Sequence, residues 1–189
     1  MTEEEYLAFD DATEGKHWFA NGQIYAMAGG TPRHSLICNN VGRALGNLVA
    51  KRRCLVFQSD LRVHVPGTGL YNYPDVTVVC GGEQRHPKSR NTIVNPTVIV
   101  EVLSKATEAD DRGAKSTHYR LLPSLQEYVL VSTRGERVEH YRRLEDGKWL
   151  LTEARGRDAS IELPALSGVL SLADVYDKTE LLEGDDDDA

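Results

Sequence analysis

Apolar residues along the chain follow two rhythms. Tyr73-Pro74-Asp75-Val76-Thr77-Val78-Val79, Val98-Ile99-Val100-Glu101-Val102-Leu103-Ser104 and Glu127-Tyr128-Val129-Leu130-Val131 are short runs rich in β-branched residues. Such runs predict strands covered on both faces. Between Arg33 and Arg53 the rhythm is helical, with Leu36, Ile37, Val41, Ala44, Leu45, Leu48 and Val49 on one face. Thr31 is the expected N-cap, Pro32 the first helical residue, and Lys51 to Arg53 the basic close. A short helix is expected over residues 3–10 and another from Gly113 to Leu122, stopped by Pro123. Asn21-Gly22 and Asp146-Gly147 each separate strand-like segments and predict hairpins. Cys54 to Phe57 and Leu61 to Val65 read as one kinked strand or two short ones. Gly81 to Asn95 reads as a polar, basic loop, and Ser104 to Asp111 as a connector. Ser160 to Leu163 predicts a short strand, and Ser171 to Tyr176 a last helical turn. The strand–helix–strand succession from Val98 to Val131 suggests a parallel crossover. Together these elements predict an α/β fold: a mixed central sheet flanked by helices, with added hairpins.

Charge changes this picture only at the end of the chain. The formal net charge is −7. From Asp174 to Ala189 eight acids face the single base Lys178, so that segment carries the whole excess and residues 1–173 are neutral. The expected organisation is one domain over residues 1–175 and an acidic, flexible tail over 176–189. A neutral body admits a phosphate-rich substrate, although it gives no support to tight non-specific DNA binding. No apolar run approaches a membrane span, and the acidic start lacks a signal region, so a cytoplasmic location is expected. The three cysteines, Cys38, Cys54 and Cys80, show neither zinc spacing nor a disulfide framework and read as small core residues.

Two buried runs each carry one carboxylate, Asp75 and Glu101. A carboxylate in such a strand is costly without a partner. If the two strands are neighbours, the two acids meet at one end of a sheet, and hard oxygen ligands there suit Mg²⁺ or Mn²⁺. A plainer reading is open for each. Asp75 can bond a turn amide, and Glu101 can pair with Arg112 or Arg62. His34, in the first helical turn, reads as a capping residue or a neighbour of the site. Asp60 and Gln58 can lie beside it on the preceding strand.

The ordered set of motifs resembles the PD-(D/E)XK nuclease superfamily, in its bacterial restriction-endonuclease-like branch often labelled Uma-two. The matching pieces are Asn21-Gly22-Gln23-Ile24-Tyr25, Pro32-Arg33-His34, Ser59-Asp60-Leu61-Arg62-Val63, Pro74-Asp75, Glu101-Val102-Leu103-Ser104, Asp111-Arg112-Gly113-Ala114-Lys115 with Tyr119-Arg120, and Glu127-Tyr128. They cover roughly residues 5–175. The resemblance implies a restriction-endonuclease-like core and metal-dependent hydrolysis of DNA. Asp75, Glu101 and the backbone carbonyl of Val102 would hold the metal, and a lysine would orient water. It also suggests a homodimer, with one site for each DNA strand.

Two departures matter. The superfamily's usual strand lysine, two residues after the acid, is here Leu103. The branch resembled carries a lysine where Lys115 stands, and Lys115 is the expected substitute. Its rival Lys105 lies about 13 Å along the strand from Glu101. Asn21 and Gln23 stand where relatives often carry acids, so neither is assigned a metal role. Leu103 and the neutral body leave two further readings open. One is a nucleic-acid- or protein-binding module on the same fold, and the other a hydrolase of smaller phosphate esters.

Overall fold

A reciprocal capping box between Thr2 and Glu5 opens the first helix, α1 (Glu3–Ala12). The computed structural model describes residues 1–27 and 29–182. Asn21-Gly22 closes the hairpin of β1 (His17–Ala20) and β2 (Gln23–Ala26) as expected. In α2 (Pro32–Leu48) the Thr31 hydroxyl accepts the His34 N–H, and Pro32 occupies the first turn. The helix ends at Leu48, and Lys51 to Arg53 lie beyond it. The Val49 and Arg52 amides close turns onto the Leu45 and Val49 carbonyls and end the helix before that basic run.

Seven strands follow: β3 (Cys54–Gln58), β4 (Arg62–Val65), β5 (Leu70–Asn72), β6 (Val76–Cys80), β7 (Arg85–His86), β8 (Ser89–Ile93) and β9 (Val98–Leu103). The expected loop from Gly81 to Asn95 therefore contains the β7–β8 hairpin, and β5 lies outside the strands expected from the sequence. The hairpin was hidden because the buried positions of β8 are largely polar. Ser89 and Thr92 bond to the guanidinium of Arg62, which is itself fully buried, pairs with Asp10 and Asp11, and lies near the rings of Tyr6 and Tyr73. A strand that buries hydrogen-bonded polar groups shows no apolar alternation.

The next helical segment starts earlier than expected. It runs as α3 (Glu108–Asp110), a π turn (Asp111–Lys115) and α4 (Ser116–Tyr119). Then come β10 (Glu127–Ser132), β11 (Arg137–Arg143), β12 (Trp149–Arg155), β13 (Ser160–Leu163), a 3₁₀ turn (Pro164–Leu166), β14 (Gly168–Ser171), α5 (Leu172–Val175) and a 3₁₀ turn (Thr179–Leu181).

The central sheet has the order β12-β11-β10-β9-β6-β3. Strands β9 and β10 are parallel across the predicted crossover, while β6 pairs antiparallel with β9 and with β3. A second sheet, β2-β1-β5-β4-β8-β7, and the β13–β14 hairpin complete the layers. One face of the central sheet packs Val76, Val78, Val98 and Val100 against Ile37, Val41 and Leu45 of α2. Those three helix residues are 0% exposed, and burying each is worth about 1.5–3 kcal/mol. The other face packs Ile99, Leu103, Tyr128 and Leu130 with Tyr119, Leu122 and Val63.

Part of the stretch that charge assigns to a tail is docked. Tyr176 is buried, its hydroxyl 2.9 Å from the Ser132 carbonyl, and Thr179 is buried beside it. An aromatic anchor outweighs the local acidity there; residues 183–189 lie outside the described residues. No helix among the described residues is long and apolar enough to cross a membrane.

A disulfide joins Cys54 and Cys80, contrary to the reading of all three cysteines as isolated core residues. The two are 26 apart in sequence, but register sets them directly opposite on β3 and β6, with Cα atoms 4.1 Å apart. Thiol titration of the unfolded, unreduced chain should find one reactive cysteine, Cys38, and three after reduction; three before reduction would refute the bridge.

Glu127, at the start of β10, is 0% exposed, and its Oε2 lies 3.8 Å from His140 Nε2. Burial pushes the Glu127 carboxyl from 4.5 up to about 7, partly opposed by the Ala165 amide, and pushes His140 down to about 4. Below the unfolded value Glu127 is protonated in both states and costs nothing. As pH rises through the folded value, the folded chain must bury a charge, so stability falls. Relative to Glu127→Gln, the wild type should lose about 3 kcal/mol between pH 4.5 and pH 7.5, read from urea midpoints. The His140 contribution runs the opposite way but is common to both proteins; identical pH profiles would contradict the assignment.

Candidate active site

Strands β6 and β9 are paired from Val78↔Val98 to Val76↔Val100. One residue further on, side chains take over from the backbone ladder. The Asp75 amide donates to Glu101 Oε2 at 3.3 Å, and the Val102 amide donates to Asp75 Oδ2 at 2.7 Å. Pro74, with no N–H of its own, precedes this exchange. The expectation that the two acids meet at one end of a sheet thus matches the geometry. Alternation along β9 sends Glu101 to the face of Ile99 and Leu103, where it is 3% exposed, whereas the Asp75 side chain is 18% exposed at the strand end.

Glu101 Oε1 is surrounded by donors. The Tyr119 hydroxyl and the Asn72 amide each lie 3.1 Å away, and Lys115 Nζ is at 3.8 Å. Neither Arg62 nor Arg112 pairs with Glu101. Arg62 is committed to Asp10 and Asp11, and Arg112 to Glu108 and Glu139. Leu103 lies in the apolar core, while Lys105 is exposed.

Lys115 reaches Glu101 because of the π turn. Asp111, Lys115 and Tyr119 are spaced i, i+4, i+8. In an unbroken α-helix that spacing drifts steadily around the axis. A π turn rotates the chain less per residue, which offsets the drift and keeps the three side chains on one inward stripe. Asp111 and Lys115 are 1% and 4% exposed, with Nζ 2.6 Å from Asp111 Oδ1. The Tyr128 hydroxyl donates to the Asp111 carbonyl at 2.9 Å and anchors the turn to β10.

The electrostatics follow from burial. Desolvation raises the Glu101 carboxyl well above its ordinary range; Lys115 opposes this, while Asp111 and Asp75 add to it. Desolvation raises Asp111 as well, against the pull of Lys115. Burial works against the Lys115 charge, but Glu101 and Asp111 outweigh it and hold the ammonium protonated. Three carboxylates thus share one buried lysine.

A cleft of about 570 Å³ leads to Asp75, lined by Lys16, His34, Cys38, Gln58 and Ser59 among others. His34 is more than a cap: its Nε2 lies 3.4 Å from Asp75 Oδ2. Burial opposes its protonation, but Asp75 and the Val102 carbonyl outweigh that and raise its affinity for a proton. Gly30 is needed beside it, since a Cβ there would come within 2.4 Å of His34 Nδ1. One ligand atom each from His34, Cys38 and Asp75 lie within 4.8 Å of one another. Gln58 lies on the cleft wall as expected, but Asp60 does not; its side chain is 89% exposed and pairs with Lys16 at 2.7 Å. The Gln58-to-Leu61 turn carries Asp60 outward.

Asp111, Asn72, Tyr119 and Cys38 belong to this constellation although sequence reasoning gave them no role. For Asp111 and Tyr119 a signal existed, the four-residue spacing on either side of Lys115; for Asn72 and Cys38 none did.

The family profile described as "Putative restriction endonuclease" (Uma2) matches residues 3–174. Two uncharacterised proteins of Synechocystis sp., slr1290 and sll1609, are each 36% identical to the chain. The matches cover 93% of it and 91% of slr1290, and 86% of it and 92% of sll1609. The crystal structure of a putative nuclease belonging to DUF820 from Anabaena variabilis superposes with a TM-score of 0.78 at 20% identity, covering 96% of this chain and 99% of that one. With the profile spanning nearly all of the described residues, the chain belongs to the Uma2 family of putative restriction endonucleases, with a restriction-endonuclease-like α/β fold of the PD-(D/E)XK superfamily.

Proposed function

We propose that this protein is a divalent-metal-dependent endonuclease that hydrolyses phosphodiester bonds of DNA. The observation that carries the reading is the buried charge imbalance: Asp75, Glu101 and Asp111 converge on a single lysine. A cation is the missing charge, and the two strand ends offer it hard oxygens. Glu101 Oε1 is occupied by Tyr119 and Asn72, which leaves Oε2 directed toward Asp75. Asp75, Glu101 Oε2 and the Val102 carbonyl would hold Mg²⁺, or Mn²⁺. Bound there, such an ion supplies Lewis acidity that lowers the pKa of water and offsets phosphate charge.

The chain's own groups divide the remaining work. Lys115 stays protonated, so it orients water by donating a hydrogen bond and stabilises negative charge building on the phosphate. Asp111 positions Lys115; Tyr119 and Asn72 position Glu101. His34 and Lys16 offer positive charge along the cleft, where a DNA backbone would lie. Action in the cytoplasm and a homodimer, with one site per strand, are part of this reading.

The test is nicking of supercoiled plasmid in Mg²⁺ by purified protein. Asp75→Ala, Glu101→Gln and Lys115→Met should each lower the rate by about 10²–10³-fold, the usual effect of losing a group that stabilises transition-state charge. Glu101→Gln keeps the side chain's shape and removes a carboxyl whose ionisation burial opposes, so its Tm should match or exceed that of the wild type. Rates equal to wild type in all three would refute the assignment. The rival reading, a binding module, draws on Leu103 standing in the core at the usual lysine position. It predicts no nicking by wild type, and DNA binding indifferent to Lys115→Met.

A further inference from the structure

A second group of metal-ligating side chains lies apart from the cleft. Glu3 comes from the first turn of α1, His64 from β4 and His86 from β7, and one ligand atom from each falls within 4.8 Å of the others. We infer that Glu3, His64 and His86 form a zinc-type metal site that ties the N-terminal helix to the β4 and β7 strands. This inference does not depend on the nuclease reading.

The plain alternative is a hydrogen-bonded staple. The Tyr71 hydroxyl donates to Glu3 Oε2 at 3.0 Å and lies 3.3 Å from His86 Nε2. That network explains Glu3 and His86 but not His64, which is 4% exposed and stacked on the Tyr71 ring with centroids 4.1 Å apart. Its Nδ1 lies 3.2 Å from the Leu70 carbonyl. A carbonyl only accepts, so Nδ1 carries the proton and Nε2 carries the lone pair. Among the described residues no hydrogen bond engages that Nε2. A histidine whose far nitrogen is fixed by a backbone carbonyl, with its other lone pair unused, has the arrangement that metal ligation requires.

Two further features fit. Gly69, at φ +69°, leaves room for the carboxylate, since a Cβ there would stand 2.8 Å from Glu3 Oε1. Glu3 Oε2 is held by Tyr71, so Oε1 remains for a metal. Ligation through His86 Nε2 moves that ring's proton to Nδ1, at the expense of a long 3.3 Å contact from the Lys88 amide. Two imidazoles and one carboxylate are a donor set for Zn²⁺ rather than Mg²⁺, with a fourth position for water. A cavity of about 430 Å³ lined by Glu3, Leu7, Tyr71, His86 and Pro87 among others adjoins these ligands.

Zinc titration calorimetry on the full chain tests the site. The Cys38→Ser/Asp75→Ala background removes the other candidate ligand group. In that background one Zn²⁺ per chain should bind. His86→Gln, on the hairpin, should weaken binding by more than about 100-fold, because even outer-shell losses cost 10–100-fold. Glu3→Gln and His64→Gln should weaken it too, and zinc should raise the Tm of the background protein but not of His86→Gln. X-ray absorption at the zinc edge should show two imidazoles and no sulfur. Absence of binding in the folded background protein, binding unchanged by His86→Gln, or a sulfur ligand would each overturn the inference.

Discussion

The end of the β6–β9 ladder is the constraint on which the rest of the site depends. Val76 and Val100 form the last backbone pair, and beyond them each acid accepts the amide beside the other. This exchange satisfies two amides that the ladder leaves behind, so it stabilises the sheet. It also fixes two carboxylates close together, where their charges repel. Desolvation and the proximity of Asp75 and Asp111 then raise the Glu101 carboxyl, and the Lys115 charge, helped by the Tyr119 hydroxyl, opposes this. A strand end that closes its hydrogen bonds in this way creates a demand for positive charge.

The π turn partly answers that demand from a neighbouring element. Leu103 is committed to the core, so β9 itself supplies no cation. Lys115 arrives from the helical segment after β9, with Asp111 beside it and Tyr119 one turn further on. A regular helix would rotate these three residues off one stripe. The irregularity at Asp111–Lys115 is thus what joins helix to strand in a single polar cluster. The same cluster is expensive to bury, which is common where function rather than stability sets residue choice.

How far the sequence revealed this depended on where a residue broke the pattern around it. Asp75 and Glu101 stood out because a charge in a β-branched run is anomalous, and the crossover after β9 followed from hydropathy alone. Lys115 could be singled out only through the family resemblance, since a lysine on a helix is ordinarily solvated. Asn72 and Cys38 were invisible because their meeting depends on sheet order. The same holds for the Cys54–Cys80 bridge, which register creates. β8 escaped the hydropathy reading because Ser89 and Thr92 bury polar groups against Arg62. Asp60 misled for the opposite reason: an acid inside a matching motif turned outward to Lys16.

The central claim is that the Asp75–Glu101 corner holds a divalent cation. Crystals grown with Mn²⁺ test it through the metal's anomalous scattering. A peak is expected within ligand distance of Asp75, Glu101 Oε2 and the Val102 carbonyl, with the Lys115 ammonium still between Asp111 and Glu101. A corner without a peak at saturating Mn²⁺, or a manganese ion bound only away from these oxygens, would contradict it.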